Sequence, residues 1–169
     1  MDFVHHCDSP LGGITLAGSR DALTGLWFDG QKHFGSTLDK DCMMKPLPVF
    51  KQTEHWLDIY FSGGIPDFTP PLSLRGTGFQ KSVWEILLAI PYGRTMTYGQ
   101  IADQIARQQG SETVCARAVG AAVARNPVSL IIPCHRVIGA GGKLTGYAGG
   151  MEKKIRLLRM EGVLQLILP

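Results

Sequence analysis

Apolar and polar positions change their spacing along the chain, and the change predicts two kinds of structure. Near the start the pattern is that of strands broken by turns. Ser9-Pro10-Leu11-Gly12-Gly13 reads as a turn, Ile14-Thr15-Leu16-Ala17 and Leu23-Thr24-Gly25-Leu26-Trp27-Phe28 as strands, and Asp29-Gly30 as a further turn signal. Residues 41–48 carry no period and read as irregular. From Val49 to Phe61 the spacing becomes helical, with Val49, Trp56, Leu57 and Tyr60 on one face and Ser62-Gly63-Gly64 as the stop. Residues 65–75 hold Pro66, Pro70 and Pro71 without a period, which predicts a linker.

Beyond the linker the chain reads as helices with explicit start signals. Thr77-Gly78-Phe79-Gln80 and Thr97-Tyr98-Gly99-Gln100 both fit a capping box, in which the Thr oxygen accepts from a backbone N–H and the Gln side chain reaches back. The first helix carries Phe79, Val83, Leu87 and Ile90 on one face and ends at Pro91-Tyr92-Gly93; the second runs through Ile101 and Ile105. After a break at Gln108-Gln109-Gly110-Ser111, a third helix is predicted from about Thr113 to Arg125. Two short helices around a Gly-containing break outline a helix-turn-helix. Ala116, Ala118, Gly120, Ala121, Ala122 and Ala124 crowd the third helix. Two readings stand: tight packing on another helix, or close approach to a DNA groove with Arg117 and Arg125 projecting. Ser129-Leu130-Ile131-Ile132 reads as a short buried strand leading into Pro133-Cys134-His135-Arg136.

Charge divides at the same place as the pattern. The 169 residues carry a net +3, but residues 1–74 hold five Lys and Arg against nine Asp and Glu, net −4, and residues 75–169 hold twelve against five, net +7. A basic half is the footprint of a polyanion-binding surface, and also of an ordinary solvated one. With 44% hydrophobic and 18% charged residues the chain can bury a core. Its length suits one domain or two small ones, here divided as 1–74 and 75–169. No stretch approaches the ~20 apolar residues of a membrane span, so no membrane partner is expected. Met1 to Asp8 lack the basic and apolar regions of a signal peptide. The four cysteines are scattered, with no C-x-x-C pair, and are expected to be reduced thiols in the cytoplasm.

Cys134 is the thiol with the most suggestive surroundings, since a neighbouring His and Arg favour the thiolate over the usual thiol of pKa about 8.5. A buried inert cysteine is the alternative. On a strand Cys134 and His135 would point to opposite faces, so their coupling would need a bend or a water.

At this point the chain resembles a family. Pro133-Cys134-His135-Arg136-Val137 looks like the active-site motif of the O6-alkylguanine-DNA alkyltransferases. Phe79-Gln80-x-x-Val83-Trp84, Ile90-Pro91-Tyr92-Gly93, Thr97 to Ala102, Arg117-Ala118-Val119-Gly120, Asn126-Pro127, Gly146-Tyr147-Ala148-Gly149-Gly150 and Glu161-Gly162 follow in family order, from about Phe79 to Gly162. Before that, the match is loose, through Ser9-Pro10-Leu11-Gly12.

The resemblance implies an α+β protein: an N-terminal ribonuclease-H-like α/β supporting domain and a mostly helical C-terminal domain with a helix-turn-helix. It implies binding to double-stranded DNA containing O6-alkylguanine, with O4-alkylthymine a second candidate, and flipping of the base out of the stack. The third helix would enter the minor groove with Arg117 filling the gap, and Ala118 and Arg125 on the DNA side. Tyr98 would press on the adjacent phosphate and donate to guanine N3. Cys134 would accept the alkyl group, with His135 as water-mediated base, Glu161 orienting it, and Asn126 supporting the network. Val123, Val137, Tyr147, Ala148 and Gly149 would line the pocket; the Cys134 and Val137 carbonyls would accept from the guanine amino group, and the loop would donate an N–H to O6. The chain departs from many members at Ala148, where they carry Ser, and from some at Ser129, where they carry Pro, which puts pocket width in question.

Because a thioether does not readily come apart, the implied reaction is a single turnover without cofactor, in a chain expected to act as a monomer. His5, His6, Cys7, His33, Cys42 and His55 are the possible ligands for the structural zinc of some members. Ser19 stands about where those members place a Cys, and His5-His6-Cys7 is too tight for tetrahedral spacing, so no metal is expected. The alternatives are a non-catalytic damage-binding protein of the alkyltransferase-like type, a transcription regulator, and a cysteine hydrolase.

Overall fold

The computed structural model describes residues 1–163. They form two compact units: Met1–Arg75 with Pro127–Ile131, and Gly76–Asn126 with the chain from Ile132 onward.

In the first unit, β1 (Asp2–Ser9), β2 (Gly12–Ser19), β3 (Ala22–Phe28) and β4 (Cys42–Met44) form one sheet in the order β3-β2-β1-β4. β1 is antiparallel to β2 and β2 to β3, while β4 runs parallel to β1. The predicted turn at Ser9–Gly12 joins β1 to β2. The Ser9 hydroxyl donates to the Gly12 carbonyl, and the Leu11 N–H donates to the Ser9 hydroxyl. Helix α1 (Pro48–Phe61) packs on the sheet through Val49, Phe50, Trp56, Leu57 and Tyr60, all buried. β1 and β4 were not anticipated from the pattern. β1 carries polar residues at most positions, and β4 is three exposed residues held by pairing alone.

Two segments distant in sequence cover the outer edge of β3. The Leu23 N–H donates to the Pro71 carbonyl and the Ser73 N–H to the Leu23 carbonyl. The Leu26 N–H donates to the Pro127 carbonyl and the Ser129 N–H to the Leu26 carbonyl. Covering an edge in this way removes a row of unpaired backbone groups. The stretch expected to be a linker, residues 65–75, is therefore built into the first unit at its end. The expected strand at 129–132 is instead a pair of tight turns: Ile131 N–H donates to the Ser129 carbonyl around Leu130, whose φ is 69°. A non-Gly residue in that region is uncommon, and Leu130 holds it while buried.

The second unit contains α2 (Gly78–Leu88), α3 (Tyr98–Gln109), α4 (Ala116–Ala124) and α5 (Met151–Met160). A two-stranded parallel ladder of β5 (Met96–Thr97) and β6 (Val137–Ile138) completes it. Both predicted capping boxes are formed, at Thr77/Gln80 and Thr97/Gln100. α3 ends in a Schellman motif: Gly110 takes φ 67°, and Ser111 N–H donates to the Ala106 carbonyl. α4 starts at Ala116, three residues later than expected, after Cys115 as N-cap. The Trp84 indole donates to the Ala122 carbonyl, so α2 and α4 pack closely where Ala122 is small.

Candidate active site

Cys134 opens a 3-10 turn, Cys134–Arg136, rather than ending a strand. The Cys134 N–H donates to the Ile132 carbonyl around Pro133, whose φ of −80° and ψ of 67° make an inverse γ-turn. The bend removes the strand alternation that would have set Cys134 and His135 on opposite faces. Asn126 is buried and its amide donates to the Ile132 carbonyl at 2.7 Å, which braces this turn. Asn126, Lys154 and Tyr147 are the neighbours of the Cys134 thiol that favour its ionised form.

The thiol is nonetheless not a resting thiolate. Burial pushes the Cys134 thiol up, and Asn126, Lys154 and Tyr147 only partly offset this. Arg136, expected from sequence to favour the thiolate, is engaged elsewhere. Its guanidinium donates to Glu161 Oε1 at 2.8 Å, to Glu161 Oε2 at 3.2 Å and to the Ile90 carbonyl at 2.7 Å. The thiol held below its ordinary value is exposed Cys115, at the start of α4, through the N–H groups of Ala118 and Arg117. Cys7 is pushed up to about 11 by burial and by Glu54. Low thiol pKa therefore does not mark the candidate nucleophile here; the proton on Cys134 has to be taken by a neighbour.

His135 is the available base. Its ring is fully buried and its Nε2 lies 2.6 Å from Glu161 Oε2. Burial holds His135 below its ordinary value against the opposing pull of Glu161, so the ring is neutral at neutral pH. Glu161 is an ionised carboxylate: burial would raise its pKa, but His135 and Arg136 bring it down to about 2. The Gly93 N–H also donates to it, at 3.1 Å. With Nε2–H donating to the carboxylate, Nδ1 is left as the acceptor nitrogen. Tyr147 stands edge-on to the His135 ring, with centroids 6.5 Å apart.

Sequence reasoning overlooked Lys154. It is buried, and its ammonium donates to the carbonyls of Val137 (2.6 Å), Thr145 (3.1 Å) and Gly146 (3.4 Å). Burial brings its pKa down to about 8, against the opposing effect of Cys134. A signal was present in the chain: residues 154, 158 and 161 share one helix face by their spacing. The buried face of α5 is Lys154, Leu157 and Leu158, with Met151 and Ile155 half-buried beside it.

α4 presents a buried face and an exposed one. Val119, Ala122 and Val123 are buried against the unit's core, so Val123 sits on the packing side. Arg117, Ala121 and Arg125 form an exposed i, i+4, i+8 row beside exposed Ala116 and Ala118. Packing explains Ala122 but not the small exposed residues. Tyr98, Tyr147, Ala148 and Gly149 are half-buried, and Val137 is fully buried. Among the described residues, no group of three or more His, Cys, Asp and Glu side chains is placed to hold a metal ion.

Comparisons with known proteins agree along the whole described chain. A family model for the 6-O-methylguanine DNA methyltransferase DNA binding domain matches residues 78–163, and one for the ribonuclease-like domain of the same proteins matches residues 3–74. The chain is similar to the methylated-DNA–protein-cysteine methyltransferase of Mycobacterium bovis, 47% identical over 155 residues, covering 91% of this chain and 88% of the relative. It is similar to that of Methanosarcina acetivorans, 45% identical over 156 residues, covering 92% and 95%. A crystal structure of Mycobacterium tuberculosis OGT in complex with DNA matches with a TM-score of 0.81 and 44% identity, covering 94% of this chain and 92% of that one. By both of its parts, the chain belongs to the 6-O-methylguanine DNA methyltransferase family.

Proposed function

We propose that this protein repairs O6-alkylguanine in double-stranded DNA by moving the alkyl group irreversibly to Cys134. The observation that carries this reading is buried Cys134 followed in the chain by a fully buried His135 whose Nε2 lies 2.6 Å from Glu161 Oε2. Residues 75–169 carry the DNA-binding and acceptor functions, and residues 1–74 support them. The exposed Arg117-Ala121-Arg125 row of α4, with Ala118, lies on the DNA, and Arg117 fills the gap left by the flipped base. Four free cysteines suit a reducing cytoplasm.

The Cys134 proton leaves through water to His135 Nδ1, and Sγ attacks the alkyl carbon. The S–C bond forms as the C–O6 bond breaks, and the electron pair left on the guanine is neutralised by a proton, so one proton passes overall from thiol to base. Tyr98 donates to N3 as charge builds on the leaving base. The carbonyls of Cys134 and Val137 accept from the guanine amino group. Each already takes one hydrogen bond, from Val137 N–H and from Lys154, and keeps a second lone pair. Tyr147, Ala148, Gly149 and Val123 border the pocket, and Asn126 braces the turn that carries the thiol.

The test is to incubate the protein with duplex DNA carrying labelled O6-methylguanine. One label per chain on Cys134, and none in Cys134→Ser, is expected. Transfer well above one label per chain, or transfer by Cys134→Ser, overturns the reading. Binding without any label on Cys134 would instead mark a damage-binding protein.

A further inference from the structure

The Tyr98 hydroxyl has a hydrogen-bond partner within its own unit. Thr145 Oγ1 donates to the Tyr98 hydroxyl oxygen at 3.2 Å, across 47 residues of sequence. On another side of the Tyr98 ring stands α4, where a Cβ added at Gly120 would lie 3.8 Å from the ring edge, ordinary contact distance. Thr145 is itself pinned. Its carbonyl accepts from buried Lys154, and its methyl lies against Gly139, where an added Cβ would stand only 3.0 Å away. The Gly139 N–H closes the loop on the Lys143 carbonyl at 2.7 Å.

A phenol carries one proton and can accept as well as donate. Once Thr145 donates to the oxygen, the Tyr98 proton has to point elsewhere. A hydrogen bond received at that oxygen also stabilises negative charge on it, which makes the phenol a stronger donor. We infer that Thr145 is a positioning residue for the transfer reaction: its hydroxyl turns and polarises the Tyr98 hydroxyl toward the departing base, and Lys154 holds the loop that carries it. This rests on the alkyl-transfer reading above. The 3.2 Å separation is long for two hydroxyls and leaves room to tighten when substrate is bound.

The test compares the single-turnover methyl-transfer rate constant, duplex Kd and thermal midpoint for the unaltered protein, Thr145→Val, Thr145→Ser, Tyr98→Phe and the Tyr98→Phe/Thr145→Val double variant. Thr145→Val keeps the shape and removes the hydroxyl. It is expected to slow transfer about tenfold with Kd unchanged within about twofold, and Thr145→Ser to restore the rate. In the Tyr98→Phe background Thr145→Val should slow nothing further, because there is no phenol left to orient. An unaltered or faster rate in Thr145→Val overturns the inference, the faster one showing that Tyr98 donates to Thr145 instead. So does an equal slowing in the Tyr98→Phe background, or failure of Thr145→Ser to rescue, either of which makes Thr145 merely structural. If the unaltered protein itself places no label on Cys134, the failure is of the transfer reading.

Discussion

Each compact unit contains a buried carboxylate clamped by an arginine, and the two clamps do different work. In the first unit Asp2 is fully buried, accepts from both terminal nitrogens of Arg75 at 2.6 and 2.7 Å, and accepts the Asp39 N–H at 2.9 Å. Burial would push its carboxyl up, but Arg75 and the Asp39 N–H hold it below the usual range. In the second unit Glu161 is clamped by Arg136 and accepts the Gly93 N–H, and it also holds the ring of His135. The Asp2 clamp fastens the end of the first unit back to its first strand. The Glu161 clamp fixes a histidine beside a thiol. A buried ion pair is thus no mark of a site; the titratable partner it orients is.

The comparison also differs in how much water each arginine keeps. Arg75 retains 37% of its side-chain surface, while Arg136 retains 9%. Glu161→Gln should therefore produce the largest effect. Transfer falls by about 100-fold as His135 loses its orienting charge. Stability falls by about 3–5 kcal/mol because a buried guanidinium is left without its counter-charge. Single-turnover labelling and urea unfolding check both. Activity within a few-fold of normal would mean His135 needs no carboxylate. Asp2→Asn is expected to lower stability by only about 1–3 kcal/mol, because Arg75 can turn to solvent. Its transfer rate per folded molecule should be unchanged, and a rate loss with a normal thermal midpoint would erase the contrast between the clamps.

Lys154 differs from the two clamps in what its charge does at neutral pH: the carboxylates are stabilised on folding and the ammonium is penalised. Glu161, at about 2 against an ordinary 4.5, contributes stability that is complete above about 4.5 and lost as pH falls toward 2. Lys154, at about 8 against 10.5, costs stability below about 8, and the cost is relieved as pH rises. Between those values the unfolded chain holds the extra proton, so this group's contribution improves as pH rises from about 8 to 10.5. The stability difference between the protein and its Lys154→Met variant should grow in the protein's favour across that interval. A difference flat with pH would show that Lys154 is not burdened by burial. The smallest change expected is from Gly120→Ala. It adds an ordinary contact to the Tyr98 ring and replaces a helical glycine, raising stability by up to ~1 kcal/mol in calorimetry. A loss of stability would mean that α4 and Tyr98 sit closer than 3.8 Å.

Much of the second unit was legible because its signals are local. A capping box closes within three residues, so Thr77/Gln80 and Thr97/Gln100 announce their helices without the rest of the chain. The order of motifs around Pro133-Cys134-His135-Arg136 was enough to choose a family. Other features were not legible. β4 has no apolar alternation to betray it, and residues 129–132 look like a strand because they are apolar, although their backbone turns twice. Lys154 was overlooked because a lysine is not expected inside.

The sequence by itself determined which residue types carry the chemistry, where the helices start, and the acidic-to-basic change along the chain. All of these depend on neighbours a few positions apart or on composition. Only the tertiary structure decided that residues 127–129 complete the edge of β3, that Lys154 is sunk onto three carbonyls, that Thr145 reaches Tyr98, and that Cys134 keeps its proton. Each of those follows from burial and from contacts between distant parts of the chain. Desolvation, which sets the charge state of the site, depends on what surrounds a group and not on what adjoins it in sequence.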